Sequence, residues 1–207
     1  MHNTKDLAAE QELVEQAKSD PHVFGLIFDR YYSTILRYAI RRTGDVHIAE
    51  DIVAETFMKA LKKLSLFRWR GVSIEAWLFA IATNEIRMHY RRRQFNISLD
   101  DLFEREGVEL ADKTNLEAEA QEAQNKLLRR HQFVEAQLYI AALPIKYQEV
   151  LVLRFAQNKK IAEIAEILGK REGTIKSIIS RSIVKLRNKM QPKHQNDIVV
   201  SEGHNKP

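Results

Sequence analysis

Residues 161–186 read IAEIAEILGKREGTIKSIISRSIVKL, and the meaning of this stretch governs how the rest of the chain is understood. Ile161, Ile164, Ala165 and Leu168 recur at the helical period and share one face. Gly169 follows, a residue that can adopt the positive φ that ends a helix. Ile175, Ile179 and Leu186 then anchor a second helix rich in Lys, Arg, Ser and Thr. Ala165 lets two helices cross closely, and Ile175 plugs the core they share. The pattern is that of a helix-turn-helix, whose second helix enters a major groove.

Working outward, charge segregates along the chain. Residues 87–93 hold four Arg with His89 and Tyr90 and no acid. Residues 159–193 hold ten Lys or Arg against Glu163, Glu166 and Glu172. Between them, residues 100–122 hold nine Asp or Glu against Arg105 and Lys113. The formal net charge of +5 conceals this distribution. Two cationic modules joined by an acidic connector is the arrangement expected of a nucleic-acid binder, which places Lys and Arg where phosphates lie.

Seven Gly and four Pro leave few turn signals, and no run alternates between apolar and polar residues, so the fold class expected is all-α. With 207 residues and 44% hydrophobic content, two small helical domains fit. We expect an N-terminal extension at residues 1–20 with a weak helical pattern, and a first helical domain at 21–94. A flexible acidic linker at 95–126, a helix-turn-helix domain at 127–190 and a flexible tail at 191–207 follow. In the first domain, Pro21 opens a helix whose stripe is Phe24, Ile27, Phe28, Tyr31, Ile35 and Tyr38, and Gly44 ends it. Asp45 caps a second helix with Ile48, Ile52, Val53, Phe57, Ala60, Leu61 and Leu64 inward. After a loop at 67–73, a third helix from Ile74 to Arg93 has Trp77, Leu78, Ile81, Ala82 and Ile86 inside. A helix from about Thr114 to Ala142, stopped by Pro144, precedes another over Ile145 to Phe155, with Asn158 as a helix-ending residue.

Several classes are disfavoured. Cysteine is absent, so no disulfide or thiolate site is expected, and the seven histidines show no paired metal-ligand spacing. No phosphate-cradling glycine loop or hydrolase nucleophile motif occurs, so no catalytic residue, metal or cofactor is expected. The opening Met1-His2-Asn3-Thr4-Lys5-Asp6 lacks the apolar core of a signal peptide, and the longest apolar run, Ala76 to Ala82, is too short to span a bilayer. A cytoplasmic protein without membrane insertion is the expectation.

In the first domain, Phe67, Arg68, Trp69 and Arg70 precede a helix bearing Trp77, Asn84, Arg87, His89, Tyr90, Arg91, Arg92 and Arg93. Aromatics interleaved with Arg suit unpaired strands, whose bases stack for about 1–3 kcal/mol each while guanidiniums track phosphates. Trp77 falls on the stripe of Ile81 and belongs to the core, whereas Trp69, in a loop between arginines, is the better base platform.

In order along the chain, residues 45–60 (DVHIAEDIVAETFMKA), 75–84 (EAWLFAIATN), 143–151 (LPIKYQEVL), 163–169 (EIAEILG) and 173–177 (GTIKS) resemble the sigma-70 family of RNA polymerase sigma factors, in its extracytoplasmic-function (ECF) group. The resemblance covers about Phe24 to Arg93 and Leu138 to Met190. It implies a non-catalytic, dissociable subunit that binds bacterial core RNA polymerase, directs it to promoters through −10 and −35 elements, and promotes opening. Asp51, Glu55, Thr56 and Lys59 would contact the core enzyme. Arg68, Trp69, Arg70, Ser73, Asn84, Arg87, Arg91 and Arg92 would hold the melted non-template strand. Arg171, Thr174, Lys176, Ser177, Arg181 and Lys185 would meet the duplex −35 element, with an anti-sigma factor as a further possible partner. Ala54, where relatives often carry Gln, and Ile178, where they often carry Arg, depart from the family pattern. Some twenty extended residues between the modules span about 65 Å, close to two duplex turns of about 34 Å each. The competing reading is an autonomous helix-turn-helix regulator that binds duplex DNA as a dimer.

Overall fold

The computed structural model describes residues 4–69, 73–96 and 138–190. Among these residues the chain is helical and contains no strand. Of the linker expected at 95–126, residues 95 and 96 belong to a helix and the rest lie outside the described residues, as do the helix expected from about Thr114 up to residue 137, the tail expected at 191–207, and Arg70.

The first domain is built from α1 (Thr4–Ser19), α2 (Pro21–Thr43), α3 (Val46–Lys63), a 3-10 turn at Leu64–Leu66 and α4 (Ile74–Asn96). Its helix ends follow local chemistry. The Asp20 carboxylate accepts from the His22 N–H at 2.8 Å with Pro21 in the first turn, and the Asp45 carboxylate accepts from the Ile48 N–H at 3.0 Å. Gly44 sits at φ 70° and its N–H donates to the Ile40 carbonyl at 2.8 Å, closing α2 as its lack of a Cβ permits. Phe24, Ile27, Ile35 and Tyr38 of α2 pack on Ile52, Val53, Phe57 and Ala60 of α3 and on Leu78, Phe79, Ala82 and Ile86 of α4. The Tyr38 and Phe79 rings meet edge-on at 5.1 Å, and the Tyr38 and Thr83 hydroxyls are 2.9 Å apart, so the buried phenol keeps a partner.

Three expectations change here. Residues 4–19 form a continuous helix that buries Val14 and Ala17 on α2, and the Tyr31 hydroxyl donates to buried Glu10 at 2.6 Å. Burial and Glu10 together push the Tyr31 phenol well above its ordinary pKa. Leu61, placed on the inward stripe of α3, is 44% exposed. Phe28 lies at the rim, 4.8 Å from the Phe57 ring.

The second domain contains α5 (Ile145–Leu151), a π turn at Val152–Ala156, α6 (Ile161–Leu168) and α7 (Glu172–Met190). The single helix expected over 145–155 therefore widens at its end: the Gln157 N–H donates to Val152 O at 3.0 Å, and the Arg154 guanidinium caps Lys159 O at 3.0 Å. Asn158 follows at φ 52°, a conformation Asn tolerates better than most residues. Gly169 at φ 62° turns α6 into α7, and Ile175 is fully buried between them. The Glu163 carboxylate accepts from the Lys160 N–H at 2.7 Å at the start of α6.

The two domains share one apolar cluster, a further departure from two separate cores. Val150, Val152, Leu153, Ile164 and Leu168 join the cluster of the first domain, and α6 packs on α4. Because Ile175 is buried with no exposed surface, Ile175→Ala is expected to cost about 2–5 kcal/mol in denaturant unfolding. A loss under about 1 kcal/mol would show that Ile175 is not the centre of the turn.

Candidate nucleic-acid interface

Three faces carry the candidate residues. On α7, Arg171 precedes the helix while Thr174, Lys176, Ser177, Arg181 and Lys185 project from it, and all six are exposed. The opposite face is committed inward: Ile175 is buried, Ile178 and Ile179 are half-buried, and the buried Ser182 hydroxyl donates to Ile178 O at 2.6 Å. Ile178, at the position where relatives often carry Arg, is thus a packing residue that removes one cation from the helix. Lys185 lies 5.8 Å from the Tyr147 ring, where the cation-π attraction orients its stem.

The second face belongs to α3. Asp51 and Glu55 are exposed one turn apart, making an acidic pair suited to Arg partners. Thr56 does not join them: it is fully buried and its hydroxyl donates to Ile52 O at 2.7 Å, so it holds the helix rather than meeting a partner. Lys59 is turned toward α4, with its ammonium 2.5 Å from Glu85 and 3.8 Å from Glu55. Beside the acids the structure exposes Ala54, Met58 and Leu61, an apolar strip that sequence patterning missed because Leu61 also satisfied the inward period. Ala54 lies on this strip, so the shorter side chain there leaves apolar surface.

The third face surrounds the start of α4. Ser73 is its N-cap, with its hydroxyl accepting from the Ala76 N–H at 3.2 Å. Phe67 is buried and acts as a hub: the Trp77 ring is 4.9 Å away and the Trp69 ring stands edge-on at 6.3 Å. Both tryptophans are half-buried, so the contrast expected between them is smaller than their positions suggested. A cavity of about 470 Å³ opens beside them, lined by Leu66, Phe67, Arg68, Trp77 and Ala80, with Glu166 of α6 on its far wall. Burial and then Glu163 push the Glu166 carboxyl above its ordinary pKa.

Farther along α4, Asn84, Arg91 and Arg92 are exposed, and Asn84 Oδ1 accepts from Arg87 Nη1 at 3.3 Å. Arg87 itself is engaged across the domains. Its Nε and Nη2 each donate at 2.7 Å to the two carboxylate oxygens of Glu149, which is buried at the end of α5. The carboxylate pushes the guanidinium pKa further up. Lys159, also buried, pairs with Glu75 at 2.7 Å and lies 5.1 Å from the Phe79 ring centroid. The Arg41 guanidinium donates to Ala156 O at 3.2 Å. None of Glu149, Lys159 and Glu75 was singled out from sequence, since an isolated charge on a helix carries no sign of a partner distant in the chain.

Among the described residues no helix is long and apolar enough to cross a membrane, and no group of His, Cys, Asp and Glu is arranged to hold a metal ion.

The family model for Sigma-70 region 2 matches residues 27–96, and that for Sigma-70, region 4 matches residues 133–186. The chain is 31% identical over 179 residues to the ECF RNA polymerase sigma factor BldN of Streptomyces coelicolor, covering 86% of this chain and 64% of BldN. It is 32% identical over 149 residues to the ECF RNA polymerase sigma factor EcfG of Rhodopseudomonas palustris, covering 72% of this chain and 75% of EcfG. Among solved structures, the sigma factor RpoE of Bartonella quintana, crystallised with the anti-sigma factor NepR, aligns with a TM-score of 0.61 at 25% identity over 80% of this chain and 94% of that one. With two family regions in order, a helix-turn-helix in the second and a cationic helix in the first, the chain belongs to the ECF group of the sigma-70 family, whose members bind core RNA polymerase and direct it to promoters.

Proposed function

We propose that the three faces divide the work of promoter recognition among them. The acidic and apolar strip of α3, with Asp51, Glu55, Met58 and Leu61, docks on core RNA polymerase. The cavity and α4, with Arg68, Trp69, Ser73, Asn84, Arg87, Arg91 and Arg92, hold the melted non-template strand of the −10 element. The outward row of α7 reads the duplex −35 element. The observation that carries this division is the distribution of aromatics: Trp69 and Trp77 stand with Arg68 around the entry to α4, whereas the row Arg171, Thr174, Lys176, Ser177, Arg181 and Lys185 at α7 carries hydroxyl and cationic groups and no aromatic. The chain acts without catalysis or cofactor, in the cytoplasm, and by likeness to RpoE an anti-sigma factor is a further partner.

Domain limits at 21–94 and 127–190 are part of the same reading, as is an acidic linker that lets the two domains separate to span both elements. Unstacking each base costs a few kcal/mol, which stacking at the aromatic cavity and phosphate pairing along α4 offset.

The deciding test is transcription from candidate promoters using core polymerase with and without this chain: promoter-specific initiation is expected only with both. Tight, specific duplex binding by a dimer without polymerase would favour the autonomous regulator instead.

Reversing charge at Asp51 and Glu55 together is expected to weaken polymerase capture at least about tenfold, roughly the 1.4 kcal/mol of one lost charge-assisted contact. Leu61→Ser should weaken capture as well, with helicity unchanged by circular dichroism. Unaltered capture in a pull-down with both sets of substitutions would remove α3 from the interface.

On α7, Arg181→Ala is expected to cost about 1–3 kcal/mol on a cognate −35 duplex and to relax its sequence preference. Lys176→Ala should weaken all duplexes alike and lower the salt-dependence slope by about one. Binding isotherms over a salt series in the polymerase holoenzyme separate the two, and equal effects on all sequences from both would assign Arg181 to phosphate alone.

A further inference from the structure

Two lysines of the second domain are held by a ring where others are held by acids. Lys18, Lys59 and Lys159 each meet a carboxylate oxygen, at 2.7, 2.5 and 2.7 Å. Lys146 and Lys185 instead share Tyr147: the Lys146 ammonium lies 5.1 Å from the centroid of that ring and the Lys185 ammonium 5.8 Å. Both lysines are exposed, while Tyr147 is buried and packs with Leu143, Leu151, Ile178 and Leu186. Among the described residues neither ammonium has a carboxylate partner.

The difference lies in what happens to the charge. A carboxylate orients a lysine by cancelling the charge that a phosphate would have to meet. An aromatic face orients it through the ring quadrupole and leaves that charge in place. Two ammonium groups at one ring also repel each other, and an anion set between them relieves the repulsion. A ring anchored among apolar neighbours gives both stems a fixed place to rest, which reduces the freedom they lose when a phosphate arrives.

The two lysines come from different elements. Lys185 stands on α7 one turn beyond Arg181, on the face that also carries Thr174, whereas Lys146 stands at the start of α5, which packs on α7. Resting on the reading of α7 as the duplex-reading helix, we propose that Lys146 and Lys185 form a two-pronged clamp on the DNA phosphate backbone beside the −35 element, with Tyr147 the positioning residue that holds both prongs. The cationic rim thus continues off α7 onto α5. The clamp supplies affinity and register rather than base choice, since phosphate contacts carry no sequence information of their own.

Isotherms of the polymerase holoenzyme on closed promoter duplexes, taken over a salt series, test the clamp. Lys146→Gln is expected to weaken binding about fivefold, equally on every −35 sequence, and to lower the salt-dependence slope by about one. Tyr147→Leu keeps both charges and an apolar core, and is expected to weaken binding about two- to fivefold, with Tyr147→Phe restoring it because the ring face returns. In a chain carrying Lys146→Gln and Lys185→Gln, Tyr147→Leu is expected to have no further effect, since the ring then has nothing to hold. A loss of the same size in that background overturns the positioning role, as does a loss from Tyr147→Phe equal to that from Tyr147→Leu. Lys146 is exposed, so Lys146→Gln tests the clamp even if the ring variants unfold. Unchanged affinity and slope in Lys146→Gln, with Arg181→Ala still weakening the complex, overturns the proposal alone. If neither substitution weakens it, the assignment of α7 to the duplex falls as well.

Discussion

Burial of one helix from two sides organises this molecule. Leu78, Phe79, Ala82 and Ile86 of α4 have to leave water, and they do so against α2 and α3, with the second domain closing over the same helix through α6. Phe79 marks the junction, with Tyr38 edge-on at one side and the Lys159 ammonium at another. A helix enclosed this way has little free circumference. What remains of α4 is Trp77 and Ala80 at the cavity and the polar and cationic Asn84, Arg87, Arg91 and Arg92 farther along, and that remainder is the surface proposed to hold a strand.

Ion pairs at this junction differ in kind from charges at the outer faces. Lys159 and Glu75 retain about a tenth of their side-chain exposure, so their attraction is weakly screened and loss of one partner strands the other in low dielectric. The cations of α7 stand in water, where pairing contributes little and long-range attraction to phosphate contributes most. Buried charges therefore govern the relation between the domains, while exposed ones are left for a partner. Lys59 shows how one residue can cross that line: the family resemblance implied a contact with the core enzyme, yet Glu85 on α4 draws it inward.

Where periodicity was strong, reading it was sufficient. Apart from Phe28 at the rim and half-buried Tyr31, Trp77 and Ile81, the stripes of α2 and α4 are buried as expected, and Pro21, the Asp45 cap, Gly44, Asn158 and the Gly169 turn stand where local chemistry puts them. Where several residues met the same rule, it was not. Thr56 and Leu61 lie on adjacent turns of α3, and a small rotation of the helix decides that the hydroxyl is buried while the leucine faces out. Helix α1 carries too few apolar residues for a clear stripe, and its docking depends on Val14, Ala17 and the Glu10 to Tyr31 bond, a partner twenty-one positions away.

The chain by itself determined an all-α architecture, a helix-turn-helix near its C-terminal end and two cationic modules, because helical period, capping and charge clustering are properties of neighbouring residues, while its family was legible in the ordered segments that resemble sigma factors. Tertiary structure alone decided that Arg87 meets Glu149, that Lys159 reaches Glu75, and which face of α3 is offered outward. Those outcomes depend on how helices distant in sequence rotate and dock to bury apolar area, and no local pattern encodes that rotation.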